Sequence, residues 1–293
     1  LSRQLIQKKG NAVNDLTRKT TKNMRRFEDK VAIITGSSRG IGRTIALYLG
    51  KEGAKIVLNG RNEDQLSITK DLLLGHGIDV ASVSGDVSNP EDCKKIVNYA
   101  SEIFGRVDIL INNAGIGSRG FFENTTPEVF RSVIDVNILG SVYPTLEALP
   151  LLKASKGSLL FISSLAGLRG LPNRAPYSMT KMAITAMAEA LNVEMREFGV
   201  HIGIVYAGAT SNDPDKFVIN SDGTWSKLQL RKGIGIHTQD EIAKTVLSAI
   251  QKRKYKTITG FSGKVYYTIL RFFPGLPDFV FRKSKYFIQR HDD

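Results

Sequence analysis

One glycine turn, set between an apolar strand and an amphipathic helix, constrains this chain more than any other feature. Val31-Ala32-Ile33-Ile34-Thr35 is a β-branched run of the kind buried on both faces of a parallel sheet. It passes directly into Gly36-Ser37-Ser38-Arg39-Gly40-Ile41-Gly42, after which Ile45, Ala46, Leu47 and Leu49 recur at helical spacing. Strand, glycine turn and helix in that order form the setting of a dinucleotide-binding loop. Glycines let the backbone approach a pyrophosphate, and the free N–H groups of the helix N-terminus point at it. Further strand-like runs near 55–59, 80–84, 108–111, 157–162 and 201–206 alternate with helical stretches. That alternation predicts an α/β fold, a doubly wound parallel sheet in a single domain spanning 30–251.

The chemistry is carried by Tyr177, with Lys181 four residues on and Ser164 thirteen back. A phenol has an ordinary pKa of about 10 and is a poor acid at neutral pH. A lysine one helical turn away on the same face favours the phenolate. Tyr177 can then give a proton to a carbonyl oxygen that Ser164 holds by a hydrogen bond. The glycine turn also satisfies G-x-S-x-G, which offers Ser38 as a hydrolase nucleophile with His201, His237 or His291 as its base. Position argues against it, because a nucleophile elbow follows several strands and here only about thirty strandless residues precede the turn.

These residues resemble the short-chain dehydrogenase/reductase family, in its single-domain branch with a three-glycine cofactor loop, over about residues 29–251. Thr35–Gly42 look like its cofactor loop, Asp86-Val87 like its adenine contact, and Asn112-Asn113-Ala114-Gly115 like the motif closing its fourth strand. Asn137, Ser164, Tyr177 and Lys181 match its catalytic residues. The resemblance implies a Rossmann-like fold and hydride transfer between a nicotinamide and a carbonyl carbon, with Tyr177 as the general acid of reduction. Lys181 would assist by charge and hold the nicotinamide ribose, and Asn137 would anchor a water-linked proton path to Lys181. Gly36, Ser38, Arg39, Gly40, Ile41, Gly42, Arg61, Asp86, Val87 and Asn113 would contact the cofactor, joined by Tyr177 and Lys181. A homo-oligomer, dimer or tetramer, is expected. One departure stands out: the family's Pro-Gly after the sixth strand is Ala207-Gly208 here. Thr210 or Asn212 is left to meet the carboxamide.

Cofactor choice is legible at the end of the second strand. An acid at the Gly60 position would bind a ribose diol and repel a 2′-phosphate. The chain has Gly60-Arg61 instead, with Arg39 in the turn. Two guanidiniums can grip a phosphate dianion by forked, charge-assisted hydrogen bonds, so NADP(H) is expected over NAD.

The net charge of +13 is confined to the two ends: +6 in residues 1–30, +7 in residues 252–293, and none in the body between them. The carboxyl end, 252–293, is also aromatic, with Tyr266, Tyr267, Phe272, Phe273, Phe279, Phe281, Tyr286 and Phe287 among Lys264, Arg271, Arg282, Lys283, Lys285 and Arg290. No stretch reaches the ~20 apolar residues of a bilayer span. Basic and aromatic residues together fit a membrane interface, as in the extensions of membrane-attached relatives such as 11-beta-hydroxysteroid dehydrogenases. The competing reading packs this segment over the active site or a dimer neighbour. No nucleic-acid module accompanies the charge, so nucleic acid is not an expected partner. Residues 1–29 form a basic arm without the apolar core of a signal peptide. The first residue is Leu1 rather than Met, which leaves a segment upstream of it open. Cys93 is the single cysteine and suits a reducing, cytoplasmic compartment, at a membrane surface where the extension reaches one. The scattered His76, His201, His237 and His291 give no metal site.

A substrate lid is expected near 211–236, with Trp225, Leu228, Leu230, Ile234 and Ile236 as its apolar face. Residues 138–144 are locally similar to 3-ketosphinganine reductases, which implies a lipophilic, long-chain or steroid-like ketone. Small-carbonyl and 3-oxoacyl substrates stay open. A non-catalytic membrane-surface protein on a retired reductase fold would be expected to lose Tyr177 or Lys181, and both are present.

Overall fold

A computed structural model describes residues 25–230 and 235–283. The first 24 residues of the basic arm, Ile234 of the lid, and Lys285, Tyr286, Phe287, Arg290 and His291 lie outside the described residues. Strands β1 (Val31–Ile34), β2 (Lys55–Gly60), β3 (Val80–Ser84), β4 (Ile109–Asn112), β6 (Ser158–Ser164), β7 (His201–Ala207) and β10 (Lys256–Ile258) form one sheet. Its order is β10-β7-β6-β4-β1-β2-β3, and every neighbouring pair is parallel. This is the doubly wound, Rossmann-like α/β sheet expected, and the six strands legible in the sequence fall where they were placed.

Helices α1 (Gly40–Lys51), α2 (Glu63–Leu74), α3 (Pro90–Phe104), α4 (Pro127–Ile134), α5 (Gly140–Ser155), α6 (Ala175–Glu194) and α7 (Gln239–Gln251) connect the strands. Alternate strand residues feed two cores. Ala32, Ile34, Ile56, Leu58, Ile109 and Ile111 pack against α1 and α7, and Ile33, Val57, Leu110, Leu159 and Phe161 against α3, α5 and α6. Burial on both faces accounts for strands that read as unbroken apolar runs. The chain order reverses between β1 and β4. In a sheet of this type the ligand crevice opens beyond the carboxyl ends of the strands at that point.

Segments leaving those ends build a second, three-stranded sheet of β5 (Gly117–Arg119), β8 (Phe217–Asn220) and β9 (Trp225–Lys227). Arg119 pins it, donating to Asn220 Oδ1 at 2.9 Å and Ser226 Oγ at 3.0 Å. The predicted lid is thus partly a hairpin. Val218 and Ile219 are buried, whereas Trp225 and Leu230 face solvent. Along α6 and just past its end, Met195 is buried and Val193 exposed.

At both ends the chain packs onto the body beyond residues 30–251. Phe27, placed in the arm by sequence, is buried in the core and its N–H donates to the Glu52 carbonyl at 2.9 Å. Beyond residue 251 the chain adds β10 to the sheet edge and then forms α8 (Gly260–Phe272) and α9 (Leu276–Lys283). The start of α8 lies against the body: a Cβ on Gly263 would fall 3.0 Å from Ile258 Cγ2. Arg169, on the loop after β6, holds the α8–α9 pair by an ion pair to Asp278 and a hydrogen bond to the Pro274 carbonyl. Among the described residues no helix is long and apolar enough to cross a membrane.

Candidate active site

The glycine turn closes over the switch point because glycine alone fits there. Gly36 has φ +60°, and a Cβ on it would lie 2.8 Å from Ala114 Cα. A Cβ on Gly42 would lie 2.5 Å from both the Gly36 carbonyl oxygen and the Asn113 amide nitrogen. Asn113 donates both amide hydrogens, to the carbonyls of Thr35 and Gly36 at 2.9 Å each. Its side chain therefore ties β4 to the turn, and only its amide oxygen is left to offer a cofactor. Asn112, beside it, bonds Thr145 Oγ1 at 2.8 Å.

Helices α2, α3 and α7 are capped by their own Asn62, Asn89 and Thr238 side chains. Helix α1 begins after Arg39 with no side-chain cap and no acid in its first turn. The Gly40 N–H instead meets a carboxylate from elsewhere in the chain, Asp213 Oδ2, at 2.8 Å. An uncapped, glycine-lined helix start with an anion against it fits the pyrophosphate of a dinucleotide.

The candidate catalytic residues sit on three elements. Tyr177 and Lys181 lie on α6, Ser164 ends β6, and Asn137 lies in a π turn, Asp135–Leu139, between α4 and α5. Lys181 Nζ donates to the Ile162 carbonyl at 3.0 Å and lies 5.8 Å from the centre of the Tyr177 ring. Asn137 and Lys181 close on Gly115, where a Cβ would meet Asn137 Oδ1 at 3.0 Å and Lys181 Nζ at 3.5 Å. The Asn137 side chain is fully paired. Its oxygen accepts from the Ile116 N–H at 2.8 Å, and its nitrogen donates to the Ile116 carbonyl and Thr180 Oγ1, both at 3.0 Å. Ser164 Oγ accepts from the Ala166 N–H at 3.3 Å, which leaves its hydroxyl proton to direct. Ser118 Oγ receives the Tyr177 N–H at 3.2 Å, joining the small sheet to α6.

Only 5% of Lys181 is exposed. Burial, aided by the charge of Lys216, pushes its ammonium down to about 8. The lysine is still mostly charged at neutral pH, poised where a change of charge nearby would tell.

The two arginines expected at a 2′-phosphate have separate partners. Arg39 Nη1 donates to the Asp215 carbonyl at 2.6 Å, and Arg61 Nη1 lies 3.6 Å from Asp86 Oδ2. Burial alone would raise the Asp86 pKa, but hydrogen bonds from Ser88 and the Arg61 charge hold it below the usual range. Val87 beside it is buried, its carbonyl accepting from Cys93 Sγ at 3.2 Å. Burial pushes that thiol up to about 12. A side chain at Gly60 would press on Ser38, with Oγ 3.1 Å from its Cβ.

Ser38 gains no base from the described histidines. His76 bonds the Leu72 carbonyl, His201 bonds Ser158 and Lys254, and His237 bonds Glu241. Where the family has proline, Ala207 continues β7 in register with Ser164. Thr210 Oγ1 donates to the Gly208 carbonyl, while Asn212 Nδ2 donates to the carbonyls of Asp213 and Leu228. No group of three or more His, Cys, Asp or Glu able to hold a metal occurs among the described residues.

A parallel sheet with its crevice at a glycine turn, and a Tyr-x-x-x-Lys helix bonded to the strand that ends in Ser164, accord with an oxidoreductase of carbonyl and alcohol groups. The family model for short chain dehydrogenases matches residues 30–220, and the chain belongs to the short-chain dehydrogenase/reductase family. It is 36% identical over 238 residues to the 11-beta-hydroxysteroid dehydrogenase-like 4A of Arabidopsis thaliana, covering 80% of this chain and 77% of that one. It is 35% identical over 189 residues to a versicolorin reductase of Emericella nidulans, covering 64% and 72%. Among solved structures, a Burkholderia phymatum short chain dehydrogenase/reductase in complex with NAD shares the fold. Its TM-score is 0.75 at 23% identity, over 86% of this chain and 95% of that one. A Thermococcus sibiricus alcohol dehydrogenase complexed with 5-hydroxy-NADP gives a TM-score of 0.69 at 30% identity, over 78% and 95%.

Proposed function

We propose that this protein is an NADP(H)-dependent reductase that converts a lipophilic ketone to a secondary alcohol. The observation that carries the reading is the buried ammonium of Lys181, one turn from Tyr177 and beside the strand that ends in Ser164. Ser164 holds and polarises the carbonyl oxygen. Tyr177 gives that oxygen its proton, and Lys181 stabilises the phenolate left behind. Asn137, locked by three hydrogen bonds, keeps the π turn in place next to Lys181. Gly36, Ser38, Arg39, Gly40, Ile41, Gly42, Arg61, Asp86, Val87 and Asn113 would hold the cofactor, which supplies the hydride.

The preference for NADP(H) rests on Gly60, where no acid stands, and on Arg39 and Arg61 at either side of the adenosine end. Both arginines reach their present partners with flexible side chains, one of them a single backbone carbonyl. Arg39→Ala together with Arg61→Ala is expected to weaken NADPH about tenfold or more and leave NADH within twofold, read by fluorescence titration. An unchanged NADPH-to-NADH ratio would remove this choice of cofactor.

A lipophilic substrate is supported by apolar side chains left in solvent on the lid and the extension, Trp225, Leu230, Phe261, Phe272, Phe273 and Phe279 among them. Steroid-like and versicolorin-like ketones, taken from the names of the relatives, and a long-chain ketone such as 3-ketosphinganine belong in the same assay. NADPH oxidation over ketones graded by chain length tests it; turnover confined to small polar carbonyls would defeat the lipid assignment and leave the reductase standing.

The same exposed aromatics, set among Lys264, Arg271 and Arg282, fit peripheral contact of α8 and α9 with an anionic membrane surface on its cytoplasmic side. The full chain is expected to float with phosphatidylserine vesicles at low salt and to be released as salt rises. A chain ending after residue 273, which keeps β10 and α8, should float less. Equal flotation of the two, or none, would sink the membrane contact.

A further inference from the structure

The amide of Gly40 is not merely available to an anion; the chain supplies one. Asp213, on the segment between β7 and β8, places Oδ2 2.8 Å from that N–H, and its Oδ1 accepts from Gln239 Nε2 at 2.9 Å. Arg43 Nη2 lies 3.6 Å from the same Oδ1. Two residues further on, the Asp215 carbonyl takes Arg39 Nη1 at 2.6 Å. Gln239 is itself held, its Oε1 accepting from Thr44 Oγ1 on α1 at 3.1 Å. A carboxylate at a helix N-terminus is favourable. Here it takes the backbone donor that the glycine turn presents to a pyrophosphate, together with an arginine reading the adenosine end.

We propose that Asp213 is a built-in competitor for the cofactor's pyrophosphate site, so that the cofactor binds only as this segment lets go. The inference rests on the cofactor assignment above and adds a coupling to the lid. The segment carries the hairpin with it: the Leu228 N–H donates to the Lys216 carbonyl at 2.7 Å, and Asn212 reaches the Leu228 carbonyl at 3.3 Å. Eviction of Asp213 therefore loosens the small sheet beside Tyr177, and the substrate side opens when the cofactor arrives. Each molecule with Asp213 seated is closed to the cofactor, so apparent affinity falls by the seated fraction.

The test is NADPH titration, by fluorescence, of the full chain and three variants. Asp213→Ala and Asp213→Asn are expected to bind NADPH about three- to thirtyfold more tightly than the wild type, the range of a helix-end charge contact. Asp215→Asn is the control, because its carboxylate faces Lys227 at 3.3 Å instead; its affinity should not move. The single tryptophan, Trp225 on β9, reports the lid. Inorganic pyrophosphate, which neither absorbs nor emits there, should shift its emission in the wild type, and Asp213→Ala should start shifted and respond little. Asp213 variants that bind NADPH no more tightly than the wild type, or an Asp215→Asn that tightens equally, would overturn the proposal. Tighter binding with an unaltered Trp225 response would overturn the coupling to the lid. A wild type that binds neither NADPH nor NADH would remove the functional reading itself and this proposal with it.

Discussion

Tyr177→Phe is expected to lower the rate of carbonyl reduction by about two to four orders of magnitude, the contribution of a positioned general acid. The substitution removes one oxygen and nothing else. The ring stays on α6, so its 5.8 Å approach to Lys181 Nζ is preserved, and the Tyr177 N–H still meets Ser118 Oγ. NADPH affinity should therefore stay within about threefold, and kcat should take nearly the whole loss. Ser164→Ala should fall less, because in the proposed mechanism Ser164 would donate a hydrogen bond to the carbonyl oxygen and transfer no proton. Single-turnover NADPH oxidation with a confirmed ketone separates the effects. Full turnover by the phenylalanine variant would end the assignment of Tyr177.

How much of this site could be read from residues alone depended on how locally each part is encoded. The six long strands were legible because burial on both faces forces unbroken apolar runs such as Val31–Ile34 and Leu159–Ile162. The glycine turn was legible because Gly36 and Gly42 have no room for a Cβ. Strands β5, β8 and β9 carry no such run: each is three or four residues long and gains its shape from pairing, β5 with a β8 that lies a hundred residues along the chain. The π turn at Asn137 leaves no mark in composition, since it changes only which carbonyl each amide meets. The start of the extension carries no strand signal of its own, because Lys256–Ile258 is short and takes its place only beside β7. At Asn113 the resemblance implies a cofactor contact, and the amide hydrogens go to the turn, which only the folded chain shows. Asp213 had no local signal at all. Its partner, Gly40, lies 173 residues away.

Lys181→Met is expected to make the protein both far less active and, near pH 7, more stable. The unfolded lysine has a pKa near 10.4, and the folded one about 8. Between those values the unfolded chain binds more protons, so this group makes stability rise with pH across that window. Below about pH 8 the cost of burying the ammonium is present in full. Methionine has nearly the same length and no charge to desolvate. The Ile162 carbonyl loses its 3.0 Å partner, which offsets part of the gain. A net stabilisation of about 1–2 kcal/mol at pH 7, shrinking toward zero or below by pH 10, is the expected result in urea unfolding of the cofactor-free protein. Activity follows the same charge in the other direction. The wild-type reduction rate should be flat below pH 8 and fall above it as the ammonium that stabilises the Tyr177 phenolate is lost. In Lys181→Met the residual rate should lack that fall. A lysine kept for packing alone would give the reverse pattern, a variant that loses stability and keeps its turnover. In the proposed mechanism the ammonium is held at a cost to the fold because the proton transfer from Tyr177 would need it.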